Sequence, residues 1–170
     1  MGFPECFELP DLILERVTMT HLPDWERLFN DERVLHTLGG LRPDGWVKDN
    51  LANQVEHWET MGFGLWVMRN PEDNDFVGRG GLHAMDFEGD VAVEVAYALM
   101  PAYWGKGLAT ELARASVAIA QEFLDIDELL ALTLPDNLAS QRVMEKSGFI
   151  YEREVIHAEL PHSLFRQPVL

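Results

Sequence analysis

The chain of 170 residues has one cysteine, Cys6, so no disulfide can close within it, which fits a reducing compartment. No apolar run approaches the ~18 residues that a membrane span requires. The opening Met1-Gly2-Phe3-Pro4-Glu5-Cys6 lacks the basic start and apolar stretch of a secretory signal, so a soluble, cytoplasmic protein is expected. Basic residues are scarce. Thirteen of them against 29 acidic ones leave a net charge of −16, which speaks against nucleic acid or an anionic membrane as a partner. The same charge would steer an amine-bearing substrate inward, although acidity also serves solubility. Site signatures are missing too: there is no H-E-x-x-H, no C-x-x-C, no G-x-x-x-x-G-K-[ST], and no G-x-G-x-x-G after a strand. His36, His57, His83, His157 and His162 therefore read as surface or core groups, and no metal is expected.

What the sequence does contain is ordinary globular material, 47% hydrophobic and 25% charged, of a length that suits a single domain over residues 1–170. A first strand is expected within residues 9–17, then a short helix over 21–30 with Thr20 as its cap. Residues 37–45 are rich in breakers and read as a loop. Val47, Leu51, Val55 and Trp58 then repeat at helical spacing through residues 46–61. Strands over 65–69, 76–84 and 91–100, joined by short polar turns, should pair antiparallel. In the last of these, Val91, Val93, Val95, Tyr97 and Leu99 alternate with Ala92, Glu94, Ala96, Ala98 and Met100, so one face is bulky and the other small except for Glu94. Leu108, Leu112, Ala115, Ile119 and Phe123 mark the buried stripe of a third helix. The apolar segment 129–134 reads as a parallel strand reached by that helix. Asn137 is placed to cap a fourth helix through Lys146, and strands over 149–156 and 164–169 flank a loop at 157–163.

The most telling stretch is Trp104-Gly105-Lys106-Gly107-Leu108-Ala109-Thr110-Glu111, a glycine turn running from a strand into a helix. Glycine lets backbone approach a ligand without a Cβ in the way. A helix start presents unpaired N–H groups and partial positive charge, which together favour anions and phosphates. A glycine at such a corner can also serve the turn alone.

Taken with Asn137-Leu138-Ala139-Ser140-Gln141-Arg142-Val143-Met144-Glu145-Lys146-Ser147-Gly148-Phe149 and the order of elements, this stretch resembles the GNAT superfamily of acyl-CoA-dependent N-acetyltransferases. The likeness is to the branch of ribosomal-protein alanine N-acetyltransferases and spans about residues 9–169. It implies an α/β (α+β) fold with a mixed, mostly antiparallel seven-stranded sheet and about four helices, splayed between the fourth and fifth strands. It further implies that the backbone of Gly105, Lys106, Gly107, Leu108, Ala109 and Thr110 cradles the pyrophosphate of acetyl-CoA, with Lys106 adding charge at the rim. Tyr97, Ala98 and Leu99 would hydrogen-bond the pantetheine arm through their backbone. Trp104 departs from the family pattern, which has a polar residue there.

The resemblance also implies direct attack of a primary amine on the acetyl thioester. That chemistry needs a base, donors for developing negative charge, and a proton source at the leaving sulfur. Glu94, set among alanines, is the expected base, where burial would raise its pKa; the alternatives are an ion pair with Arg79 or Arg114, or a water chain instead of any single base. Many relatives carry a tyrosine seven residues after the asparagine, but Met144 stands there. Ser140 is then the expected group near the sulfur or a first-turn helix hydroxyl, and Asn137 binds the coenzyme arm or caps its helix. Trp46, Trp58 and Trp66 are expected to fill core. The amine acceptor, a protein N-terminus or a small molecule, should sit between the loops at 37–45 and 157–163, with Asp44 and Glu159 placed to attract it. A monomer or homodimer is expected. The competing reading is a non-catalytic acyl-CoA-binding module.

Overall fold

The computed structural model describes residues 2–170. In chain order the described elements are β1 (Cys6–Glu8), β2 (Ile13–Arg16), α1 (Leu22–Phe29), α2 (Glu32–Thr37), α3 (Trp46–Met61), β3 (Leu65–Arg69), β4 (Phe76–Phe87) and β5 (Asp90–Leu99). There follow α4 (Leu108–Phe123), β6 (Glu128–Thr133), α5 (Leu138–Lys146), β7 (Ile150–His157) and β8 (Leu160–Pro168). They form one sheet in the order β1-β2-β3-β4-β5-β6-β8-β7. All neighbours run antiparallel except β5 and β6, which are parallel and share a single register pair, Glu94 with Leu130. The two strands separate beyond that point, as the family resemblance implied.

The sheet has eight strands rather than seven, and five helices rather than four, among the described residues. The additional strand, β1, is only three residues long and pairs Phe7 with Leu14, too short for alternation to reveal it. The additional helix, α2, has six residues and is held by its cap, where the Asp31 side chain accepts from the Arg33 N–H at 2.9 Å. Thr20 does not cap a helix. The chain enters through a 3-10 turn at Met19–His21, where the Thr18 N–H donates to His21 Nδ1 at 2.9 Å, and α1 starts at Leu22 with Pro23 in its first turn.

Two of the hairpins, β4–β5 and β7–β8, are tighter than expected. β4 runs on to Phe87 and turns through Glu88 and Gly89, both at positive φ. The loop foreseen at 157–163 contracts to Ala158 and Glu159, with φ of 49° and 65°, because His157 pairs directly with Leu160.

Helices cover both faces of the sheet. Trp25, Leu28 and Phe29 of α1 and Leu51 and Trp58 of α3 pack with Leu14, Trp66 and Met68. On the other face Ala113, Val117 and Ala120 of α4 meet Leu82, Val93 and Val95. The buried stripe of α4 is thus Leu108, Leu112, Ala113, Ser116, Val117 and Ala120, so Leu108 and Leu112 are buried as expected while Ala115, Ile119 and Phe123 are only half-buried. Gly80 lets α4 approach, since a Cβ there would stand 2.3 Å from Leu112 Cδ2. None of the described helices is long and apolar enough to cross a membrane.

Candidate active site

A cavity of about 680 Å³ opens where β5 and β6 part, running from the start of α4 to the β4–β5 hairpin and the β7–β8 hairpin. At the α4 end, Gly105 and Gly107 sit at φ of 73° and 78°, a backbone state that L side chains avoid. Nothing lies within 4 Å of where a Cβ would stand on either glycine, so the space above them is open. Gly107 caps α4 without a side chain, and the Glu111 N–H returns to the Gly107 carbonyl at 3.0 Å. The amides of Leu108, Ala109 and Thr110 are first-turn donors with no acceptor inside the helix, and all three residues line the cavity with Gly105 and Gly107.

Lys106 is the exception in this stretch. It is not among the lining residues, and its Nζ stands 5.5 Å from the Tyr103 ring centroid. Trp104 replaces the family's polar residue yet keeps an N–H, which donates to the Leu99 carbonyl at 2.8 Å. That bond occupies one of the two acceptor positions of a carbonyl expected to face the pantetheine arm. Tyr97, Ala98 and Leu99 all line the cavity.

At the far end stands Glu94, with 18% of its side chain exposed. Neither expected arginine pairs with it. Arg114 donates through Nε and Nη2 to the Lys146 carbonyl, and Arg79 senses the Glu94 charge without forming a salt bridge among the described residues. The neighbour is His83, whose Nδ1 lies 3.6 Å from Glu94 Oε1 across the β4–β5 ladder. His83 stacks on His57 with ring centroids 4.5 Å apart and an interplanar angle of 20°. Both nitrogens of His57 are committed: Nδ1 donates to the Phe63 carbonyl at 2.9 Å, and Nε2 accepts from the Ala84 N–H at 2.9 Å. Holding that second bond requires a neutral ring, and burial, with His83 next to it, pushes the His57 pKa down. His57 is thereby a fixed platform for His83. His157 and His162 line the facing wall, where burial lowers the pKa of His157 against the pull of Glu94. These histidines were expected to be surface or core groups; the fold sets His83 beside Glu94 and brings His157 within its influence, with His57 packed behind His83 and His162 against His157.

Between the two ends, the Tyr97 hydroxyl and Ser140 Oγ are hydrogen-bonded at 2.7 Å. Burial pushes the Tyr97 pKa up to about 12, against the effect of that bond, so the phenol stays protonated at neutral pH. Ser140 therefore reaches across to β5 and does not turn back on its own helix. Asn137 takes the capping role, its side chain accepting from the Ser140 N–H at 3.1 Å, while still lining the cavity. Met144 is buried, 1% exposed.

The remaining expectations divide. Trp58 and Trp66 are core, but Trp46 lines the cavity beneath the Arg42 guanidinium, 5.0 Å from its ring centroid. Asp44 lies in a separate shallow hollow with Pro43 and Gly45, and Glu159 is at the hairpin tip; neither lines the cavity. Cys6 is exposed on the outer strand β1.

The cavity thus has free backbone N–H groups at one end and a carboxylate beside a histidine at the other. The model of the acetyltransferase (GNAT) domain matches residues 11–150, and the chain belongs to this family of acetyl-CoA-dependent N-acetyltransferases. Its relatives include an uncharacterized Bacillus subtilis protein, YkkB, 26% identical over 92% of this chain and 94% of that protein. The FsC-acetyl coenzyme A-N(2)-transacetylase of Aspergillus fumigatus is 33% identical over 74% of this chain and 56% of its own length. Among solved structures, a GNAT-family acetyltransferase of Bordetella pertussis superposes with a TM-score of 0.82 at 24% identity, covering 96% of this chain and 99% of that one. A ribosomal-protein alanine acetyltransferase of Vibrio fischeri does so with 0.78 at 17%, covering 96% of each.

Proposed function

We propose that the chain transfers acetyl from acetyl-CoA to a primary amine by direct attack, with the coenzyme at the α4 end of the cavity and the amine beside Glu94. The observation that carries this reading is the continuity of the cavity: the uncapped first turn of α4 and the Glu94–His83 pair line the same space. The residues fit the coenzyme, because two left-handed glycines leave room above donors that lack partners. Bound there, acetyl-CoA supplies an activated acetyl thioester.

The chain's own groups do the rest. The amides of Gly105 to Thr110 hold the pyrophosphate, Asn137 and the cavity-facing edge of Tyr97, Ala98 and Leu99 align the arm, and the Lys106 side chain contributes only long-range charge. Glu94 accepts the proton that the amine must lose, and His83 orients the carboxylate or passes the proton on. A positioned base of this kind contributes about 10²–10⁴ in rate. Ser140 Oγ, backed by the Tyr97 hydroxyl, is the donor held for the departing sulfur, which replaces the tyrosine that Met144 displaces.

The test is release of free thiol from acetyl-CoA with a panel of primary amines, from N-terminal peptides to small diamines and amino acids. Amine-dependent release is expected. Tight coenzyme binding with no turnover on any amine would make the chain an acyl-CoA-binding module.

A further inference from the structure

One strongly basic group in the cavity, Arg79, keeps a buried nitrogen that nothing among the described residues satisfies. Arg79 projects from β4, next to Ala98 of β5 in register, and lines the cavity between the coenzyme end and Glu94. Its Nε is buried without a hydrogen-bond partner. The guanidinium lies over the Phe29 ring, 5.4 Å from the centroid, and no carboxylate is within ion-pair distance among the described residues. Six of the ten arginines, at positions 16, 27, 33, 69, 153 and 166, pair with a carboxylate, and of the four that do not, 42, 79, 114 and 142, only Arg79 leaves a buried guanidinium nitrogen without an acceptor among the described residues. In a chain with 29 acidic residues, a cation left bare inside a cavity is the departure that needs a reason.

A second cation faces the same space. Arg42 lines the cavity, rests on Trp46 and donates from Nη2 to the Leu38 carbonyl at 2.7 Å, which fixes its position without neutralising it. The two guanidinium groups repel each other, and burial lowers the Arg79 pKa to about 10, which leaves it cationic at neutral pH. An anion between them would relieve the repulsion and give the buried Nε an acceptor. Guanidinium presents a planar fork that matches a carboxylate. Glu94, carrying the opposite charge, lines the same cavity.

We propose that the acceptor is a small amino-carboxylate, whose amine lies at Glu94 and whose carboxylate is received by Arg79 with Arg42 beside it. This rests on the acetyl-transfer reading of the same cavity and deepens it: selectivity is for a substrate with both charges. A polyamine or a peptide N-terminus, with no carboxylate close to its amine, would leave Arg79 unpartnered.

The experiment uses matched pairs, α- and ω-amino acids from glycine to aminohexanoate and their amides, in two readouts. Acetylation should favour at least one acid over its amide by about tenfold or more in kcat/KM, the scale of one charge-assisted contact. Arg79→Met should collapse that ratio toward one, Arg79→Lys should restore part of it, and Arg42→Gln should reduce it, which covers the case of an Arg79→Met protein that does not fold. Calorimetric binding of the same pairs to the CoA-loaded protein should show the same preference. Equal use of acids and amides, or a preference that survives Arg79→Met, overturns the proposal and leaves acetyl transfer standing. Arg79-dependent binding of the acids with no thiol release on any amine upholds the anion site and overturns the transfer reading.

Discussion

The two ends of the cavity are built by different means. At the α4 end, backbone does the work: glycines at positive φ and amides left free by helix geometry, all within residues 105–110. At the other end, which we propose receives the acceptor, side chains line the space, and they come from several elements: Arg79 and His83 from β4, Glu94 from β5 and His157 from β7, with His57 of α3 behind His83. A site of backbone groups would depend on turn and helix geometry, which is compatible with Trp104 at its edge. A side-chain site depends on which residues the sheet register brings together, so it is free to change with the acceptor.

If this division holds, substitutions at the two ends should separate binding from rate. The largest effect is expected for Gly107→Glu, which puts a strained, negatively charged residue over the amides. Coenzyme affinity, read by calorimetry, should fall by about a hundredfold or more. Unchanged affinity in a folded variant would refute the cradle. Glu94→Gln comes next: kcat/KM should drop about a hundredfold with coenzyme affinity intact, and a parallel loss of both would merge the two ends into one.

Ser140→Ala sharpens the boundary between the two. It should cost about tenfold in kcat with little change in coenzyme binding, and combining it with Tyr97→Phe should add little, because both remove the same 2.7 Å bond. A mainly binding defect would reassign Ser140 to the coenzyme end. The smallest effect concerns the platform under His83. The folded pKa of His57 lies below its ordinary 6.5, so the unfolded chain binds more protons in the window between those values. The stability contributed by His57 is complete above about pH 6.5 and is lost as pH falls toward the folded value. His57→Gln should flatten that part of the melting-temperature profile, and a profile identical to wild type would mean His57 titrates normally.

The same contrast explains what could be read from residues alone. The glycine turn, the helix after it and the alternation of β5 are local patterns, and Gly105, Gly107 and the small face bearing Glu94 follow from them. The His83–Glu94 pair is not local, yet it was within reach. Counting outward from the Glu88-Gly89 turn puts His83 opposite Glu94 and Arg79 opposite Ala98, but this needs the turn placed to the residue, and the sequence pattern alone ends the strand at Ala84. The His57 platform and the Tyr97–Ser140 bond join elements far apart in the chain, where no periodicity links them. β1 and α2 were missed because three and six residues are too few for any period to register.

Amide hydrogen exchange across residues 105–110, with and without coenzyme A, tests the backbone cradle most directly. The coenzyme should slow exchange at Gly107, Leu108, Ala109 and Thr110 while the amides around Glu94 and His83 change little. Undiminished exchange at the start of α4, with protection appearing elsewhere along the cavity, would contradict the cradle.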